Sequence, residues 1–168
     1  MKRWQSISLG VITLLVLVVA NLLIFQKERL LASGQTIFLE LAPVDPRSLI
    51  QGDYMALRYG TLQTVNTDEL ASDGYLVLKL DERNIATFDR VYQPGETLAP
   101  DERIIRYRKR SWDVRLGAES FFFQEGHADY YSNARYAELR LAESGETVLA
   151  GLRGEELEAL GPPAEINN

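Results

Sequence analysis

Tyr75 to Tyr92, YLVLKLDERNIATFDRVY, decides the fold class. Leu76, Leu78 and Leu80 alternate with Tyr75, Val77 and Lys79, the period of a strand with one face toward a core. Asp81 to Asn84 are turn residues, and Ile85 to Tyr92 return with β-branched and aromatic bulk, so the stretch is expected to be a hairpin. Upstream, Ile37, Leu39 and Leu41 alternate with Thr36, Phe38 and Glu40 in a first strand. Pro43 and Pro46 then bracket a turn, and a second strand is expected from Asp53 to Tyr59, with Met55, Leu57 and Tyr59 sharing one face. Asn66 to Ser72, NTDELAS, has the polar start of a short helix.

Downstream, Gln93-Pro94-Gly95-Glu96 and Pro100-Asp101 are turns. Arg103 to Leu116 is expected to form two strands or one bent strand, its second half placing Trp112, Val114 and Leu116 together. Glu125 to Asn133 has helix-compatible spacing of Ala128 and Tyr131. Ala137, Leu139 and Leu141 alternate in another strand, and Glu143 to Glu146 turn it back onto Thr147 to Leu152. Roughly seven or eight short strands with one or two short helices predict a mostly β (α+β) domain, a β-sandwich or a partly open β-barrel.

Further toward the amino terminus the pattern changes. ISLGVITLLVLVVANLLIF, Ile7 to Phe25, carries no charge and is about the ~20 residues that cross ~30 Å of hydrocarbon as a helix. A cleaved signal peptide has a shorter core and a small-x-small site, whereas Gln26-Lys27-Glu28-Arg29 follow this run directly. The chain divides into a cytoplasmic amino terminus (1–6), a transmembrane helix (7–25), a stalk (26–35), a β-rich domain (36–160) and a flexible tail (161–168). Lys2 and Arg3 precede the span, and Lys27 and Arg29 follow it diluted by Glu28, so the positive-inside rule decides little. Asn21 either bonds a neighbouring helix or lies near the hydrated interface.

With 168 residues there is room for one domain beside the anchor. Hydrophobic residues at 46% and charged residues at 25% describe a body that folds in water. No cysteine occurs and His127 is the one histidine, which excludes disulfides, thiolate chemistry and sulfur or imidazole metal clusters within the chain. Carboxylates with calcium-site spacing are not found, so no metal and no cofactor is expected. A net charge of −6 disfavours nucleic acid as a partner and broad adsorption to anionic lipid.

The most specific string is GDYMALRY, Gly52 to Tyr59, preceded by PVDPRSL. It resembles the signature of the bacterial GDYXXLXY family, with Gly52, Asp53, Tyr54, Leu57 and Tyr59 matching. The block FFFQEGHADYYSNARYAELRLAESGETVLAGL, Phe121 to Leu152, is similar to the family's second half. The resemblance implies a protein held in the cytoplasmic (inner) membrane with its domain on the periplasmic side. It also implies a polytopic membrane protein as partner, and it assigns no activity.

Two readings of the motif stand beside each other. In one, Gly52 permits a turn, Asp53 accepts backbone hydrogen bonds there, and Leu57 and Tyr59 pack a sheet face. In the other, Asp45, Arg47, Asp53 and Tyr54 gather at one end of the sheet with Arg135 and Tyr136 as a charged, aromatic rim that holds a peptide, a glycan or a protein loop. Arg106, Arg108 and Arg110, in a run with Arg103 and Lys109, share one strand face. They either meet lipid headgroups or an acidic partner or, as expected here, pair with carboxylates of neighbouring strands.

The function expected is therefore a non-catalytic binding or accessory module. The alternative is a cell-envelope hydrolase of the serine–lysine, signal-peptidase-like kind, which would have to use Ser48 with Lys79 or Lys109. A Ser-His-Asp arrangement would rest on His127 alone, with Glu125 and Asp129 near it in sequence. A pair of carboxylates suited to glycoside hydrolysis is available in any acidic domain.

Overall fold

A computed structural model of the chain describes residues 3–42, 54–111 and 113–163. Its first element, α1, runs from Arg3 to Ser33. From Ile7 onward it is long and apolar enough to cross a membrane, and its apolar side chains are exposed all round. A helix with no polar face suits hydrocarbon, where backbone groups must be satisfied internally. The polar side chains do the same. Ser8 Oγ donates to Trp4 O, and Asn21 Nδ2 donates to Leu17 O at 2.8 Å, so Asn21 bonds its own helix.

The helix continues beyond Phe25 through the segment assigned as a stalk, because Gln26 to Ser33 holds good helix formers and no glycine or proline. It stops at Gly34, whose N–H donates to Leu30 O at 2.8 Å. A Cβ at Gly34 would lie 2.6 Å from that same oxygen. The sheet begins one residue later.

Nine strands lie among the described residues: β1 (Gln35–Glu40), β2 (Tyr54–Ala56), β3 (Asp73–Leu80), β4 (Ile85–Val91), β5 (Glu102–Arg110), β6 (Asp113–Arg115), β7 (Ser120–Phe122), β8 (Tyr136–Leu141) and β9 (Thr147–Arg153). Seven form one sheet in the order β6-β5-β3-β4-β1-β8-β9, and β2 pairs with β7 in a separate ribbon. All neighbours are antiparallel except β1 and β4. The large sheet curls into a half-barrel, the partly open barrel of the two architectures expected. Strands from its two ends approach where Arg106 N–H donates to Gly145 O at 2.8 Å and Thr147 Oγ1 to Leu116 O at 3.2 Å. Gly145 has φ +82 and Tyr75 within 3.1 Å of where a Cβ would stand, so the turn joining β8 to β9 requires glycine.

The alternation read from the sequence predicts the inner face well. Ile37, Leu39, Leu76, Leu78, Ile105, Ala137 and Leu139 are buried in one cluster with Met55, Leu57 and Tyr59. Val77 is buried as well, beside a β-bulge between Val77 and Leu78. Regular pairing in the second strand spans only Tyr54–Ala56, although Leu57 and Tyr59 keep their inward direction. The expected helices at Asn66–Ser72 and Glu125–Asn133 are single 3-10 turns, Thr67–Glu69 and Ala128–Tyr131. Trp112 lies outside the described residues.

Candidate functional site

Asp45, Arg47, Gly52 and Asp53 lie outside the described residues, as does Ser48. From Tyr54 the motif splits by direction. Leu57 and Tyr59 face the core at 5% and 4% exposure. The Tyr59 hydroxyl donates to the carbonyl of Ala118. Burial, reinforced by the nearby Glu119 carboxylate, pushes its pKa well above the ordinary phenol range, so the hydroxyl stays a neutral donor. Tyr59 also bridges Leu41 at the end of β1, where Ala42 N–H donates to Arg58 O at 2.7 Å. These two motif residues hold the ribbon to the half-barrel.

Tyr54 points the other way. It stands opposite Phe122 in the β2–β7 ladder, the rings 5.8 Å apart and tilted by 38°. Phe122 is 73% exposed. Its neighbours Phe121 and Phe123 turn inward onto Tyr131, at centroid distances of 4.8 and 5.5 Å. The three consecutive phenylalanines therefore alternate inside, outside and inside, and the outside one is presented on a packed base. The sequence assigns this run no strand, because three consecutive phenylalanines display no period of two.

Arg135 and Tyr136 open β8 beside the same end of β1. Leu41 N–H donates to Arg135 O at 2.8 Å, so Arg135 and Tyr59 flank Leu41 from opposite sides. Arg135 Nη2 lies 4.0 Å from Glu40 Oε1, and Tyr136 stands opposite Glu40. The two sequence blocks thus meet through backbone at the end of β1.

The cations behave differently from the carboxylate pairing expected. Arg103 Nε donates to Gln35 Oε1 at 2.6 Å, and Lys109 Nζ donates to Thr67 O and Leu70 O at 2.6 and 3.3 Å. Arg106, Arg108 and Arg110 form no ion pair among the described residues: the edge strand sets Arg115 opposite Arg108 and Asp113 opposite Arg110, and Asp113 is taken up by Arg115 at 3.0 Å.

Among the described residues the reactive candidates are not assembled. His127 meets Tyr130 edge-on at 5.4 Å, with no hydrogen bond to Glu125 or Asp129. Lys79 Nζ sits in solvent 3.6 Å from Asp101. Among the described residues no group of three His, Asp or Glu side chains is placed to hold a metal ion.

The family model described as GDYXXLXY protein matches residues 16–152. No curated protein matches the chain, and no solved structure does.

Proposed function

This chain belongs to the GDYXXLXY family, and we propose that it is a membrane-anchored, non-catalytic accessory module whose domain docks on a polytopic membrane protein. The observation that carries this reading is Phe122, 73% exposed beside Tyr54 on a ribbon whose inner face is packed. Covering a phenylalanine is worth ~1.5–3 kcal/mol, and aromatic side chains on rigid supports are typical anchors of protein interfaces. The packed base fixes Phe122 in place, which lowers the entropic cost of association.

In this proposal α1 spans the cytoplasmic membrane once and the domain lies on the extracytoplasmic side. The flanking charges, Lys2 and Arg3 before the span and Lys27 and Arg29 after it, decide little by themselves, and the orientation follows what the family resemblance implies. The partner's loops outside the bilayer are the surfaces that Tyr54 and Phe122 meet. Crosslinking the full-length protein in its native membrane, followed by mass spectrometry, tests the proposal: one polytopic protein captured by wild type and lost in Phe122→Ser is the expected result. Identical capture by both would remove the aromatic pair as the interface.

A further inference from the structure

A cleft of about 360 Å³ opens between β5, β6 and the turn joining β8 to β9, lined by Arg106, Arg108, Arg110 and Arg115 together with Lys27 of α1. Two carboxylates share the lining, Glu119 and Glu146, and both are engaged. Glu119 Oε1 accepts from the N–H groups of Leu116 and Gly117, and Glu146 Oε2 lies 3.3 Å from Lys27 Nζ. Five cations therefore face two carboxylates in a chain whose net charge is −6. Arg108 stands directly opposite Arg115 in the β5–β6 ladder, where Asp113 Oδ2 holds Arg115 Nε at 3.0 Å and leaves Arg106, Arg108 and Arg110 as the cations without an ion pair. Arg106, Arg108 and Arg110 make no side-chain hydrogen bond or ion pair among the described residues.

The position of the cleft selects its ligand. Lys27 is two residues beyond Phe25, the last residue of the apolar run, which is ~3 Å along a helix. Headgroups occupy ~5–7 Å on each side of the hydrocarbon. The Lys27–Glu146 pair ties the β8–β9 turn to the helix at that level, and Gly145 of the same turn is bonded to Arg106. We infer that the cleft is a subsite for the phosphate of an anionic phospholipid headgroup in the leaflet where α1 leaves the hydrocarbon. Guanidinium groups bind phosphate oxygens bidentately, and Arg106, Arg108 and Arg110 converge here beside the Asp113-paired Arg115. The anchor already holds them at the lipid surface, so an acidic domain needs no general attraction to the bilayer to fill this one site.

The experiment uses the full-length protein in nanodiscs of phosphatidylcholine mixed with phosphatidylglycerol, with the lipids it retains counted by native mass spectrometry. Wild type is expected to retain phosphatidylglycerol selectively. Arg108→Gln with Arg110→Gln is expected to lower that selectivity about thirtyfold, given ~1 kcal/mol for each basic residue at an anionic surface. Arg58→Gln with Arg83→Gln removes the same charge outside the cleft and should change nothing. Equal retention of both lipids by wild type overturns the inference whether or not any variant folds, and so does an equal loss in the two double variants. Inorganic phosphate titrated into protein in pure phosphatidylcholine separates the two sources of the same chemistry. No saturable binding is expected, and saturable binding abolished by the cleft variant would assign the site to free phosphate instead. Loss of a protein crosslink at Arg108 with lipid retention unchanged would assign it to an acidic protein and equally overturn the inference.

Discussion

The hydroxyl of Tyr59 donates to the carbonyl of Ala118 from within the core, joining the last residue of the motif to the segment that leads into β7. Tyr59 also bridges Leu41, so one side chain and its backbone tie the ribbon to β1. Tyr59→Phe keeps the ring and leaves a buried carbonyl unpaired, which should cost about 1–3 kcal/mol. Leu57→Ala, at a site 5% exposed, should cost about 2–5 kcal/mol through lost burial and the cavity left behind. Denaturant unfolding of the full chain in detergent measures both. Neither loss appearing would mean that the ribbon is held by something other than the motif.

Glu138 gives a second test, since a carboxylate only 5% exposed depends on its partners. Arg153 Nε donates to Oε2 at 2.7 Å with Nη2 2.5 Å from the same oxygen, and Arg140 Nη2 lies 3.1 Å from Oε1. Arg153→Ala strands one side of a buried charge, with a cost toward the lower end of about 3–5 kcal/mol because Arg140 remains. Glu138→Leu should be milder, since the arginines are 30% and 27% exposed and can turn to water. Adding Glu138→Leu to Arg153→Ala should therefore recover stability. A double variant no more stable than Arg153→Ala would show that the stranded carboxylate is not the source of the loss.

Acid sensitivity has a definite contributor at β4 and β5. Arg90 clamps Glu102 with Nη1–Oε1 and Nη2–Oε2 distances of 2.7 and 3.1 Å, and Ala99 N–H donates to Oε2 at 2.9 Å. The Arg90 bonds first, then that of Ala99, hold the carboxyl down to about 2, from an ordinary value of 4.5. A folded-state value below the unfolded one means that unfolding takes up a proton. The contribution is therefore complete above pH 4.5 and is lost as pH falls toward 2. Glu102→Gln should flatten the stability profile over that window and lower the plateau above it. A profile of unchanged slope would show that other carboxylates set the acid limit.

Much of the inner face was legible in sequence because a one-residue slip would turn every apolar side chain outward. Ile37, Leu39, Leu76, Leu78, Ala137 and Leu139 follow that rule without exception. The parallel pairing of β1 with β4 was not legible, since it joins segments by register rather than by a local turn. β7 is three residues long and lies inside a uniformly aromatic run, too short to display a period of two. The end of α1 was hidden by Lys27, Glu28 and Arg29, whose charges mark the edge of an apolar span but do not end a helix. Arg106, Arg108 and Arg110 were correctly placed on one face. Their lack of ion pairs depends on the register of the edge strand, in which Asp113 is held by Arg115, and charge counting cannot supply that.

The same division of the motif into an inward and an outward part yields the sharpest functional prediction. Phe122 contributes little to the core, because Phe121 and Phe123 on either side make the contacts with Tyr131. Phe122→Ser should therefore change stability by no more than about 0.5 kcal/mol, as exposed substitutions usually do. Phe121→Ser, which opens the packing beneath, should lose stability on the order of 3 kcal/mol. If the Tyr54–Phe122 pair is the docking surface, Phe122→Ser should abolish capture of the partner while leaving the unfolding midpoint unchanged. Loss of capture that only ever follows loss of stability would instead mean that the aromatic run acts through the fold.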